Sequence, residues 1–303
     1  MKATPAIRRL PFRHNQRPDL GFEVFRLSEL FGRAGKIGHD LEAPQRPEFH
    51  IVYVGLRGRG TLMVDFAPQP LGAGIVTVTA AGRVQHFVPE RGVDAWMLMI
   101  APEFVAPDAR AIDPLRGARV LSPSWATPVV SLPAPDLRAV LGLTDAIVAE
   151  HARPAAAGQA AILGALVRAV LLMLERCAQR ELAEPSPAAI ERFLTILERD
   201  HARTREVGYY ARAAGVSARR LAELTQRHRG RTPKQLVDER VVLEQKRLLA
   251  HTDVSVKELA ARTGFAEPTN LIKFFRQRTG QTPLEFRAGL DARRAFLPSA
   301  RRS

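Results

Sequence analysis

The chain has one cysteine, Cys177, in 303 residues, so no internal disulfide is possible and no metal cluster can be built from thiolates. It also lacks a long apolar run. No uncharged stretch approaches the ~20 residues a spanning helix needs, and the start, Met1 to Arg8-Arg9-Leu10-Pro11, has no apolar segment of signal-peptide length. A reduced, soluble, cytoplasmic chain with no membrane partner is expected. With 46% hydrophobic and 25% charged residues, the composition excludes a disordered tail or a collagen-like polymer and suffices for two ordinary domains.

Acidic residues are scarce, 31 against 45 lysines and arginines, for a net charge of +14. The excess is localised. Residues 1–184 are nearly balanced at +3, whereas residues 185–303 carry 24 basic and 13 acidic side chains, net +11. A polyanionic partner, nucleic acid or lipid surface, is therefore sought in the C-terminal third.

The first third reads as antiparallel β structure. Phe49 to Leu56 and Thr61 to Phe66 flank Arg57-Gly58-Arg59-Gly60 and predict a hairpin; Gly74–Ala80, Val84–Val88 and Asp94–Ala101 continue the series. Short strands with turn signals every ~8–12 residues and no helical pattern between them suggest a sandwich or barrel. Four prolines between Ser122 and Asp136 predict a loop that ends this part. Helices are expected over Asp136–Glu150 and Gly158–Arg180, and Glu184-Pro185-Ser186-Pro187 reads as a linker.

Beyond the linker and an amphipathic helix, Ala188–His201, a unit occurs twice. Gly230-Arg231-Thr232-Pro233 returns as Gly280-Gln281-Thr282-Pro283, and Tyr210-Ala211-Arg212-Ala213-Ala214-Gly215-Val216 matches Leu259-Ala260-Ala261-Arg262-Thr263-Gly264-Phe265. Alanines at a packing face, a glycine turn and an apolar plug, Val216 or Phe265, predict two helix-turn-helix units. Ser217 is an N-cap; Ser255 and Glu258 have capping-box spacing. The second helices, Ser217–Arg229 and Pro268–Thr279, turn Leu221, Leu224, Leu271, Phe274 and Phe275 inward. They leave Arg219, Arg220, Gln226 and Arg227 on one and Thr269, Asn270, Lys273 and Arg276 on the other as candidate DNA contacts. A helix from Thr232-Pro233 to about Ala250 joins the units and spans roughly 27 Å, against about 34 Å between successive major-groove faces. The alternative is a helical bundle with a solvated basic face.

Residues 188–287 resemble the DNA-binding domain of the AraC/XylS family of bacterial transcription regulators. The resemblance is carried by Glu258-Leu259-Ala260, Gly264-Phe265, Phe274-Phe275, Gly280, Thr282-Pro283 and Phe286-Arg287. It implies two helix-turn-helix units on a long helix, duplex DNA and RNA polymerase as partners, and a homodimer. The chain departs from the pattern at Glu223 and Thr225, where the family usually has a basic and an aromatic residue. Glu223 would either read a cytosine amine or face away from DNA. The segment Lys234 to Asn270 is similar to members that control aromatic-acid catabolism.

The β part resembles the cupin-like sensor that precedes such domains. The metal-ligand positions of cupins fall on Gln45-Arg46-Pro47 and on Gln85, with His86 beside it, so the ligand set is absent; His39, His50 and His86 lack paired spacing. No metal, no cofactor and no catalytic residues are expected. Arg46, His50, Tyr53, His86, Phe87 and Trp96 combine aromatic walls with polar or cationic groups suited to an organic anion, and are the candidate effector contacts. Each could equally be core or rim.

On Gly158–Arg180, Ile162, Leu166, Val170 and Leu174 form one apolar line and Leu163, Val167 and Leu171 its neighbour. Ile162, Leu163, Leu166, Val170 and Leu174 are the candidate dimer seam, with burial against Asp136–Glu150 as the alternative. The expected fold is α+β: a cupin-like sensor barrel over 1–135, a helical dimerisation segment over 136–183, a linker at 184–188, an all-α double helix-turn-helix domain over 189–290 and a basic tail over 291–303. The expected function is an effector-responsive activator of a catabolic operon. A cupin enzyme fused to a DNA-binding domain, and an effector-independent repressor or architectural protein, are the alternatives.

Overall fold

The computed structural model describes residues 8–12, 20–36, 41–88, 92–105, 119–121, 129–180 and 187–296. They fall into two compact units that part at Pro185 and Ser186.

The N-terminal unit runs β1 (Arg8–Leu10), β2 (Phe22–Arg26), α1 (Leu27–Lys36), β3 (Gln45–Pro47), β4 (His50–Arg57), β5 (Arg59–Val64), β6 (Ala67–Gly72), β7 (Ile75–Thr79), β8 (Gln85–Val88), β9 (Asp94–Ile100), α2 (Pro102–Val105), a 3₁₀ turn at Arg119–Leu121, β10 (Val129–Ser131), α3 (Ala134–His151) and α4 (Gln159–Arg180). One sheet has the order β1-β3-β8-β5-β6 and the other β10-β7-β4-β9-β2. All pairings are antiparallel except β1 with β3. The expected barrel is thus a pair of facing sheets.

Side-chain alternation assigns the layers. Ile51 and Tyr53 of β4, Leu62 and Val64 of β5, Phe87 of β8 and Met97 of β9 form the core between the sheets. The opposite face of the second sheet, Val52, Val54, Val76, Val78, Leu98 and Ile100, packs with Val140 and Ile147 of α3 and with α4. Because β4 is buried on both faces it reads as a continuous apolar run rather than an alternating one. The Gly58 turn follows, at φ 69°, and a Cβ there would lie 2.2 Å from the Gly92 carbonyl oxygen. Strand β5 comes next, not a helix, but it belongs to the other sheet and pairs with β6 and β8. The glycine-rich stretch therefore carries the chain from one sheet to the other, and the expected hairpin between β4 and β5 does not form.

The layer that α4 closes corrects the proposed dimer seam. Leu163, Val170 and Leu174, with Val167 and Leu171, are buried inside the unit. Burial of each such side chain contributes about 1.5–3 kcal/mol to folding, so they cannot also face a second copy. Ile162 and Leu172 remain 48% and 43% exposed.

The C-terminal unit is all helical: α5 (Ala188–Asp200), α6 (Val207–Ala213), α7 (Ala218–Arg229), α8 (Pro233–His251), α9 (Val256–Arg262), α10 (Pro268–Thr279) and α11 (Pro283–Phe296). The repeat appears as two cores on one long helix. Helices α5, α6 and α7 close over Val237, and α9 and α10 close over Val241, Val242, Leu248 and Leu249 with Phe286 of α11 packed against them. Thr232 and Gln235 make a full capping box at the start of α8. At α9 only half the expected box forms: the Glu258 backbone N–H donates to Ser255 Oγ at 3.1 Å, while the Glu258 carboxylate accepts from Arg262. Helix α11 continues to Phe296, so the first part of the expected basic tail is helical; the last seven residues lie outside the described ones.

Candidate nucleic-acid interface

Each unit presents its second helix by the same local device. Gly215 and Gly264 turn the chain at φ 75° and 74°, Val216 and Phe265 pack into the two cores, and the second helix starts. Ser217 Oγ accepts the Arg220 backbone N–H at 3.1 Å to cap α7, and Pro268 takes the first position of α10. Both helices end on left-handed glycines, Gly230 and Gly280. Leu221, Leu224 and Thr225 anchor α7; Leu271 and Phe275 anchor α10. Thr225 is therefore core, its hydroxyl turned to the Ala222 carbonyl at 3.3 Å.

The anchors leave the opposite faces to solvent. Arg219, Arg220, Gln226 and Arg227 of α7 are all exposed, as are Thr269, Asn270, Lys273 and Arg276 of α10. Sequence reasoning left Glu223 undecided. It lies on the same exposed face, bound by Arg219 Nε at 3.2 Å and by an Arg220 guanidinium nitrogen at 3.3 Å. Those two hydrogen bonds hold the Glu223 carboxyl below the usual carboxylate range. Arg229, in the last turn of α7, instead points inward to Glu191 at 3.7 Å.

Several contacts fix one helix-turn-helix unit against the other, and none is readable from local sequence. Asp238, buried in the middle of α8, accepts from Arg278 of α10. The Arg205 guanidinium lies 3.6 Å from the Phe265 ring centroid and 5.8 Å from that of Phe274. Gly264 lies so close to the 201–206 loop that a Cβ would sit 2.2 Å from the Ala202 carbonyl oxygen.

The six effector candidates do not converge. Tyr53 and Phe87 meet between the sheets, ring centroids 6.1 Å apart. Tyr53 Oη accepts from Gln85 Nε2 at 3.1 Å, and burial pushes the phenol pKa upward. Trp96 belongs to the opposite, helix-covered face of the second sheet, with Arg26 stacked on it at 5.1 Å. His50 Nδ1 accepts the Ala81 backbone N–H at 3.1 Å. Burial drives its pKa down to about 4, so the ring is a neutral structural acceptor at physiological pH. Arg46 donates from Nε to the Gly82 carbonyl at 2.9 Å, and His86 alternates with the inward-facing Gln85 and Phe87.

Gln45, at a cupin metal-ligand position, pairs across the ladder with Gln85 at another, and both are buried. The polar groups beside Tyr53 are thus amides. His39 lies outside the described residues. Among the described residues, no group of three or more His, Cys, Asp or Glu side chains could hold a metal ion. No helix there is long and apolar enough to cross a membrane. A cleft of about 650 Å³ runs along β5 and β6, lined by Gly58 to Thr61 and Pro68 to Ala73, and none of the six candidates lines it.

A family described as "Helix-turn-helix domain" matches residues 210–289. The chain is similar to the HTH-type transcriptional activator RhaS of Enterobacter sp. (strain 638), 29% identical over 123 residues. It is also similar to the RhaS of Salmonella arizonae, 31% identical over 125 residues. Both matches cover 41% of this chain and 44% of the relative, so the shared segment is under half of either protein. Among solved structures, the DNA-binding domain of AdpA in complex with a target DNA is 33% identical, covering 37% of this chain and 99% of that one, with a TM-score of 0.33. ToxT from Vibrio cholerae O395 is 10% identical, covering 89% and 98%, with a TM-score of 0.40.

Proposed function

With a C-terminal domain of the AraC/XylS type as the premise, we propose that the chain is a sequence-specific transcription activator that answers to a small effector and serves a catabolic operon. The observation that carries this reading is the pair of exposed polar faces, on α7 and α10, mounted on the two halves of one continuous α8. Nineteen helical residues span about 28 Å, close to the ~34 Å between successive major grooves on one side of B-DNA. Selection from a random duplex library by the full chain tests it. The expected result is a bipartite preferred site, and Lys273→Ala should lower affinity on all sequences and reduce the salt slope by about 0.9. Recovery of duplexes with no common sequence would refute the reading.

The proposed sensor is the N-terminal unit, with Tyr53 and Phe87 as the effector-facing members of the original six. Two atoms support this: Gln85 Oε1 and Thr79 Oγ1 are buried without a hydrogen-bond partner, a cost of about 1–3 kcal/mol each that a donor-bearing ligand would relieve. The amide and phenol groups beside these two atoms favour an uncharged polar effector over an organic anion. The proposed homodimer uses the exposed side of α4, which carries the exposed apolar side chains Ile162 and Leu172. A homodimer would present paired recognition domains to repeated half-sites and to RNA polymerase.

A further inference from the structure

The two helix-turn-helix units differ in charge at one equivalent position. The spacing that carries Leu221 to Leu271 and Gly230 to Gly280 carries Glu223 to Lys273. Helix α10 contains no acidic residue, whereas α7 sets a carboxylate in the middle of its exposed face. That carboxylate is not needed for the fold. Its side chain is 49% exposed, and those of its partners Arg219 and Arg220 are 91% and 60% exposed. Ion pairs so exposed contribute little to stability and exchange readily for other partners.

On DNA the same group is consequential. A carboxylate entering the major groove meets phosphate repulsion, and only a base-edge donor can compensate it. Adenine places its N7 acceptor beside its amino group and opposes a carboxylate there, while cytosine offers N4–H₂ alone. Arg219 and Arg220 cannot serve Glu223 and the phosphates with the same donors. A matched base that takes over the carboxylate frees both guanidinium groups for the backbone; a mismatched base leaves the carboxylate unpaired by the base and still competing with phosphate for them.

We propose that Glu223 is the base-discriminating residue of α7: it accepts from the cytosine amino group, and until that contact forms its carboxylate competes with phosphate for Arg219 and Arg220. The proposal rests on the DNA-binding reading above. It makes α7 the selective unit and α10, with Lys273 and Arg276, the one that binds DNA more uniformly.

The test uses the full chain in three forms, wild type, Glu223→Gln and Glu223→Ala, each selected on a random duplex library and titrated with salt on an unselected duplex. Wild type should retain a cytosine in one half of its site. Glu223→Gln should exchange it for adenine, whose N6 and N7 match an amide. Glu223→Ala should lose about tenfold in discrimination at that position alone. Both variants should bind unselected duplex more tightly, with a log–log salt slope steeper by about 0.9 for each phosphate contact released. Identical base preferences in all three proteins would overturn the role of Glu223 and leave the DNA-binding reading standing. A wild type without sequence preference would overturn both.

Discussion

His50 shows how a residue type that suggests chemistry can be consumed by structure. It follows Phe49 at the start of β4, and its ring is spent on the Ala81 backbone N–H, buried deeply enough to lower its pKa from 6.5 to about 4. Burial is the larger cause; the nearby Glu103 carboxylate opposes it. The unfolded chain therefore takes up this proton at higher pH than the folded chain does, and stability rises with pH across the interval. The contribution is complete above pH 6.5 and is lost as pH falls toward 4, by about 3 kcal/mol in all. His50→Asn keeps an acceptor for Ala81 and should flatten the pH 4–6.5 dependence of the unfolding midpoint. Both tryptophans, Trp96 and Trp125, precede the linker, so their fluorescence reports this unit. A variant with the wild-type acid slope would place the linkage elsewhere. Nothing in the local sequence of His50 tells acceptor from effector contact, because its donor lies thirty-one residues away.

At the scale of elements, what was legible followed from periodicity and turn chemistry. Strands β4, β5, β7, β8 and β9, helices α3 to α10 and both glycine turns were readable because alternation, 3.6-residue spacing and N-caps are local. Strand β6 was not, since Pro68 and Pro70 argue against a strand; it is tolerated because β6 is an edge of its sheet and needs fewer backbone donors. Strand β10 hid among prolines in the same way, and α1 and β2 carry too short a pattern to read. The apolar lines on α4 were visible, but which one faced inward was not, because a helix shows its stripes without showing what covers them. Ile162→Glu with Leu172→Glu should give a folded monomer with weaker operator binding, and Val170→Glu should unfold the N-terminal unit by burying a charge. Sedimentation and thermal melting check this. A double variant that remains dimeric would move the interface off α4.

The whole molecule concentrates its charge in the unit whose two cores share one helix. The net +11 of residues 185–303 supplies salt-sensitive attraction to any duplex, but attraction alone would let two tethered units find two sites at any separation. The packing forbids that. Helix α8 is continuous through both cores, Asp238 ties it to Arg278, and Arg205 stacks on Phe265 and Phe274, so α7 and α10 hold one separation. Once the bipartite site is selected, inserting 5 bp between its halves should reduce affinity to that of one half, because the second half moves to the opposite face of the duplex. Inserting a full turn, about 10 bp and ~34 Å, should fail equally: the face is restored but α8 cannot lengthen to reach it. Gel-shift titration of the three duplexes at one salt concentration decides the matter. Restored affinity at the full-turn insertion would mean that the two recognition helices are flexibly joined, and the buried contacts along α8 would then have no bearing on site spacing.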